Sequence, residues 1–211
     1  MAKKNLKGIF ISFEGPEGSG KTTHAKFLYQ HFRRLKLPVL YVREPGSTNI
    51  GEKIRAILLD RNNRLSDTTE MLLYMAAHSH IVEEIIAPAL KEGKIVIADR
   101  FLDSTVCYQG FAGNVDIEMI KNIGAFATRT LAPNLTILLD ISAEEGLARR
   151  SVKIFDRMES KPLSYHQKVR QGYLSLAKEH PARIKVVKVQ KRIKETKAKI
   201  LQIVKEKLWL G

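Results

Sequence analysis

Near the start of the chain a strand-like run breaks directly into glycines: GIFISFEGPEGSGKT, Gly8 to Thr22. The segment Gly15-Pro16-Glu17-Gly18-Ser19-Gly20-Lys21-Thr22 fits the phosphate-loop pattern G-x-x-x-x-G-K-S/T. Glycine allows backbone shapes that a Cβ blocks, so successive N–H groups can converge on phosphate oxygens. A helix that opens at the end of such a loop adds partial positive charge there. Lys21 is placed to reach β- and γ-phosphates, and Thr22 can offer its hydroxyl to Mg²⁺. With Thr23, residues 15–23 form the candidate site for a nucleoside triphosphate and Mg²⁺. The bland alternative is a glycine-rich turn with an incidental lysine. A strand before the loop and an amphipathic helix after it argue against that.

Short apolar, β-branched runs recur along the chain: GIFISF (8–13), VLYV (39–42), KIVIAD (94–99), LTILLD (135–140) and IKVVKV (184–189). Each is too short for a helix and too apolar for a half-exposed strand, so they read as buried parallel strands. Helical patterns lie between them. Ala25, Leu28, Phe32 and Leu35 keep one face. Ile117, Ile120, Gly124, Ala127 and Leu131 keep another, and Ile193, Ile200, Val204 and Leu208 form a stripe between lysines. Asp67 with Glu70 resembles a capping box opening a helix that runs toward Pro88. Strand and helix in alternation mean an α/β fold with a central parallel sheet. Ligands in such sheets sit at the carboxyl ends of the strands.

The chain has 211 residues and 44% apolar residues, which fits one domain, 1–211, with a proper core. The single cysteine, Cys107, excludes an internal disulfide and reads as a small buried hydrophobe. The His residues show no metal-ligand spacing with cysteines or carboxylates. No run approaches the roughly 18 apolar residues of a membrane span, and the lysines and short apolar run of 1–13 lack a cleavage-like site. A cytoplasmic location with no membrane contact is expected. Formal net charge is +14, unevenly placed: Arg183 to Gly211 holds ten Lys/Arg against two Glu. A nucleic-acid or membrane-surface role is one reading of that segment. A solvated helix face plus a site for anionic substrates is the better one, because interleaved aromatics are missing.

A phosphate loop does not choose among ATPases, GTPases and kinases. The other strand ends narrow the choice. Asp99 ends the third apolar run, where an acidic residue would complete the metal shell, and Arg100 follows it. A fixed positive charge there suits a second phosphate better than an activated water. Arg43 follows another strand, Arg55 comes soon after, and the segment RRSVKIFDR carries Arg149, Arg150, Lys153 and Arg157. Each arginine alone reads as a surface ion-pair former. Their joint placement favours an anionic acceptor.

Together these stretches resemble the thymidylate kinase family of bacterial type. The matching pieces are FEGPEGSGKTT (13–23), REPGSTNIGEKIRAILL (43–59), DRFLDSTVCYQGF (99–111), FATRTLAPNLTILLDISAEEGLAR (126–149) and DRMESKPLSYHQKVRQGYLSLAKEHPARI (156–184). They fall in order over nearly the whole chain. The resemblance implies a five-stranded parallel sheet with helices on both faces, a homodimer, and transfer of the γ-phosphoryl of ATP to dTMP with Mg²⁺. It implies that Arg100 grips the acceptor phosphate, with Arg43 and Arg55 beside it. Glu17 would lie near the sugar hydroxyl and the metal, and Tyr74 would stack on thymine. Thr105 and Gln109 would meet the base edge, Ser104 would lie beside them, and Tyr108 would lie against the deoxyribose. A mobile lid is implied at about 149–160. Because the phosphate loop holds no arginine, Arg150, Lys153 or Arg157 would supply the catalytic cation from that lid.

Two departures stand out. The family commonly has arginine four residues after the stacking aromatic, and here that residue is His78. Residues four apart share a helix face, so His78 is expected to point with Tyr74 toward the base. Gln190 stands where the family often has aspartate. Two rival functions follow: a kinase for another pyrimidine monophosphate such as dUMP, and an ATP-binding module docked on nucleic acid through the basic C-terminal helix.

Overall fold

The structure is a computed structural model that describes residues 8–149 and 156–208. Five strands form one sheet: β1 (Ile9–Glu14), β2 (Val39–Arg43), β3 (Ile95–Asp99), β4 (Leu135–Asp140) and β5 (Ile184–Lys188). Their order is β2-β3-β1-β4-β5, and every pairing is parallel. All five carboxyl ends therefore point to one rim, and Glu14, Arg43, Asp99 and Asp140 come to it together. The expected parallel α/β architecture is the observed one.

The three central strands, β1, β3 and β4, are almost wholly buried, as continuous apolar runs require. The edge strand β5 departs from the expectation. Its buried positions are Ile184 and Val187, while Val186 is 45% exposed. An edge strand has a neighbour on one side only, so its lysines reach water.

Helices α1 (Lys21–Arg34) and α9 (Ile193–Leu208) supply one cover of the sheet. Ala25, Leu28, Phe32, Ile200, Ile203 and Val204 meet Ile11, Phe13, Ile97 and Ile137 in one apolar cluster. Each of the Leu, Ile, Val and Phe side chains contributes about 1.5–3 kcal/mol by leaving water. The helical stripes are shorter than their periodicity predicts. Leu35 caps α1 and is 57% exposed, and Ile193 opens α9 at 46% exposed. Both lie at helix ends.

A second cluster joins Met71, Met75, Val106, Ile120, Leu138, Val169 and Tyr173. It is built from α3 (Asp67–Ile81), α6 (Ile117–Ala127), α8 (Leu163–Glu179) and the segment between α5 (Leu102–Thr105) and α6. Helix α6 ends at Ala127, before Leu131, with Thr128 as its cap. The capping box of α3 lies one residue earlier than expected. Ser66 is the cap and accepts from Thr69 N, while Asp67 sits in the first turn, where its charge suits the helix dipole. The helix continues through a wide turn at Val82–Ile86 into α4 (Ala87–Lys91) and so passes Pro88. Cys107 is fully buried. No helix among the described residues is long and apolar enough to cross a membrane.

Candidate active site

The phosphate loop joins β1 to α1. Gly15, Gly18 and Gly20 all have positive φ, at 141°, 69° and 85°. Gly20 is the left-handed cap of α1, so the chain enters the helix at a conformation side chains resist. Two of these glycines are also needed for space. A Cβ on Gly15 would lie 2.4 Å from Leu139 O, and one on Gly18 would lie 1.8 Å from Gly146 O. Gly146 belongs to α7 (Ala143–Ala148), and a Cβ there would in turn meet Glu17 O at 2.2 Å. The loop is thus walled by β4 and α7 through main-chain contact.

Lys21 lies in the loop's concavity, 6% exposed. Its Nζ donates to Gly15 O at 2.9 Å and Pro16 O at 2.8 Å, with Ser19 Oγ at 3.5 Å. Burial pulls its pKa down to about 8, helped by the nearby charge of Arg100. The Thr22 hydroxyl donates to Asp99 Oδ2 at 2.5 Å, and the Tyr41 hydroxyl donates to the same oxygen at 3.2 Å. A hydroxyl beside one carboxylate fits Mg²⁺, which keeps several waters and uses few protein ligands. Among the described residues no group of three His, Cys, Asp or Glu is placed to hold a metal.

Arg100 is the hub of the other half. It follows β3 with φ 72°, an unfavourable conformation for a side chain. Its N–H donates to Phe13 O at 3.0 Å. Its Nη2 donates to Glu17 Oε1 at 2.5 Å and to Tyr108 Oη at 3.2 Å, and Nη1 to Ser104 Oγ at 3.2 Å. Tyr108 donates its hydroxyl to Glu17 Oε1 at 2.7 Å, and its ring centre lies 5.0 Å from the Arg100 guanidinium carbon. Glu17, at the tip of the phosphate loop, therefore links that loop to the arginine-bearing side of the cavity.

Beneath this hub lies Glu14, fully buried. It accepts from Phe101 N at 2.7 Å, Ser104 Oγ at 2.6 Å and Tyr173 Oη at 3.1 Å. Burial, reinforced by the charge of Asp103, pushes its carboxyl well above the usual range. Sequence reading passed over Glu14 and Tyr173. The signal was present for Glu14, a carboxylate at a central strand's carboxyl end; Tyr173 gave none, since it arrives from a distant helix.

The cavity at this rim has a volume of 620 Å³. Glu17, Lys21, Thr22, Thr23, Arg43, Arg55, Tyr74, His78, Asp99, Arg100, Ser104, Thr105, Tyr108 and Gln109 all line it, so motifs from four stretches of sequence do converge. Arg43 pairs with Glu52 at 2.9 Å and is 42% exposed. Arg55, on α2 (Asn49–Leu59), donates to Pro45 O at 3.1 Å. Gln109 donates its amide to Glu70 Oε1 at 2.8 Å. Arg157 is ion-paired with Glu70 and donates from Nε to Leu58 O at 2.8 Å, so it is tied to the wall that α2 and α3 form. Arg150 and Lys153 lie outside the described residues.

Comparison with known proteins agrees with this geometry. A family profile described as Thymidylate kinase matches residues 13–200. The chain belongs to the thymidylate kinase family. It is similar to the thymidylate kinase of Thermoanaerobacter sp. (strain X514), at 45% identity over 203 residues, 96% of this chain and 100% of that one. It is 46% identical to the thymidylate kinase of Symbiobacterium thermophilum over 201 residues, 95% of this chain and 94% of that one. Its fold is similar to the crystal structure of thymidylate kinase from Ehrlichia chaffeensis, with a TM-score of 0.78 and 28% identity, covering 93% and 98% of the two chains. Thymidylate kinases are nucleoside monophosphate kinases, a class of phosphotransferase, and this class accounts for a phosphate loop facing a second cationic pocket.

Proposed function

We propose that the chain transfers the γ-phosphoryl of ATP to dTMP, giving ADP and dTDP. The observation that carries this is Arg100, which shares Glu17 with the phosphate loop and lines the same cavity as Arg43, Arg55 and Tyr74. Residues 15–23 would hold the ATP phosphates. Thr22 and Asp99 would hold Mg²⁺, whose role is to neutralise charge on the donor phosphates. Arg43, Arg55 and Arg100 would receive the phosphate of dTMP. Tyr74, His78, Thr105 and Gln109 would enclose the base, and Tyr108 the sugar. The thymidylate kinases named above support thymine over another pyrimidine.

The acceptor is a phosphate monoester with a second pKa near 6, so at neutral pH it is mostly a dianion and already a nucleophile. No general base is required. The obstacle is bringing two polyanions together: two like charges about 4 Å apart repel by roughly 4 kcal/mol at an effective dielectric near 20. Lys21 and Arg100 offset that repulsion and hold donor and acceptor in line. The lid would add cations from Arg150 and Lys153 and exclude water, which would otherwise hydrolyse ATP.

A homodimer is part of this reading. It is supported by Leu72 on α3 and Met119 and Phe126 on α6, which are 49%, 51% and 88% exposed on helices that pack together. A cytoplasmic location accords with the substrates. The deciding experiment offers a panel of nucleoside monophosphates with ATP and Mg²⁺ and follows ADP release. Highest kcat/KM for dTMP is expected; no diphosphate from any pyrimidine deoxynucleotide would reject the proposal.

A further inference from the structure

The Arg100 guanidinium is held at both ends. Its Nη2 end meets Glu17 and Tyr108, which line the cavity. Its Nη1 end turns inward to the Ser104 hydroxyl at 3.2 Å, with Tyr173 Oη at 3.5 Å. Behind those hydroxyls stands Glu14, and neither Glu14 nor Tyr173 is among the residues that line the cavity. The Ser104 and Tyr173 oxygens lie 2.7 Å apart, and Glu14 Oε2 lies 2.6 Å from the first and 3.1 Å from the second. Glu14 Oε1 is taken by Phe101 N–H. Strand β1, α5 and α8 thus each deliver one oxygen to a closed triangle, and all three side chains are buried.

The hydrogens of that triangle leave room for Arg100. The Ser104 hydroxyl donates its hydrogen to Glu14 Oε2. Its oxygen keeps two lone pairs, one for Tyr173 O–H and one for Arg100 Nη1–H. The arrangement survives protonation of Glu14, because a protonated Oε2 donates to Tyr173 and still accepts from Ser104. With Nη1 docked in this way, Nη2 can exchange Glu17 for an incoming phosphate while the guanidinium plane keeps its orientation.

We propose that Glu14 is a positioning residue for Arg100: through Ser104 and Tyr173 it fixes the Nη1 end, so that the Nη2 end meets the acceptor phosphate already oriented. The inference rests on the dTMP reading above and adds to it a residue that touches neither substrate. A donor held in place beforehand costs no reorganisation during reaction. Glutamine matches glutamate in size but not in hydrogens. Its oxygen must stay with Phe101 N–H, so its amide NH₂ faces the two hydroxyls. Once Arg100 is included, one more hydrogen then faces those oxygens than they have lone pairs to receive. The amide therefore competes with Arg100 for Ser104 Oγ. An effect of charge alone has the opposite sign, since removing a carboxylate near Arg100 would strengthen its hold on a phosphate.

The test measures kcat/KM for dTMP and, by calorimetry, the affinity for ATP. Glu14→Gln should lower kcat/KM for dTMP by about tenfold and leave ATP affinity within about threefold. Added to Arg100→Ala it should lower kcat/KM no further, because its effect passes through Arg100. Tyr173→Phe releases a Ser104 lone pair instead of occupying one, so it should cost about threefold or less. Four results overturn the proposal while leaving the kinase assignment standing: an unchanged or raised kcat/KM for dTMP in Glu14→Gln, a matching loss of ATP affinity, a larger loss in Tyr173→Phe than in Glu14→Gln, or an additive loss with Arg100→Ala. Absence of dTDP formation by the wild type rejects the kinase assignment and this inference with it. If Glu14→Gln fails to fold, NMR of the arginine side chains decides on the wild type, with Arg100 assigned through Arg100→Lys. Separate, slowly exchanging Nη1 and Nη2 signals are expected, with Nη2 the one that dTMP moves. A single averaged signal, or Nη1 moved more than Nη2, sinks the proposal.

Discussion

The two halves of the cavity are built on opposite plans. The donor half is main chain: glycines at positive φ, a helix N-terminus, and one lysine held by loop carbonyls. Its parts lie within nine consecutive residues, 15–23. The acceptor half is side chain: Arg43 from β2, Arg55 from α2, Tyr74 and His78 from α3, Arg100 after β3, and Tyr108 beyond α5. A main-chain cradle tolerates no change of backbone shape and accepts any nucleotide's phosphates. A side-chain pocket can be retuned residue by residue.

If that contrast is sound, removing the phosphate-loop lysine should hurt most. Lys21→Ala is expected to lower turnover by at least about 100-fold with circular dichroism unchanged. Turnover near wild type would break the donor assignment. Arg100→Ala should cut kcat/KM for dTMP by about 100-fold and leave ATP affinity within about threefold, as calorimetry can show. Equal losses for both nucleotides would mean that the halves are not separate. Gly18→Ala tests the main-chain side without touching a charge. The Cβ that would meet Gly146 O forces a backbone shift costing about 1–3 kcal/mol, so ATP binding should weaken roughly tenfold or more while a titration with dTMP alone changes little.

A smaller effect concerns protons. Lys21 has a pKa lowered to about 8 in the free site. Below that pH it is charged and ready for phosphate; above it, binding ATP must take up a proton. ATP affinity should therefore fall as pH rises past about 8, by up to tenfold per unit. Calorimetry in two buffers of different ionisation enthalpy should show proton uptake there, and none would refute the shift. The smallest effect is expected from Arg157→Ala. Its partner Glu70 steadies Gln109, so KM for dTMP should rise about threefold with kcat unchanged. A collapse of kcat would make Arg157 the lid's catalytic cation.

The same contrast explains what was legible in the sequence. The phosphate loop and the five strands were readable because glycine spacing and apolar runs are local signals. Arg43 and Arg100 were readable as cations that follow strands. Strand β5 and the ends of α1 and α9 were read as too buried, since periodicity does not say where a sheet stops. Glu14, Tyr173 and Gly146 were missed because their importance lies in contacts between segments far apart. A buried glutamate beside a strand end looks like any other glutamate until its partners arrive.

The contact between Gly18 and Gly146 carries a consequence for assembly. One wall of the nucleotide cradle is delivered by chain more than a hundred residues downstream of the motif. An N-terminal piece ending before Ala143 would contain every residue of the recognisable signature and still lack that wall. Nucleotide capture should then emerge late in synthesis or refolding, once β4 and α7 have docked, rather than when the signature itself is complete.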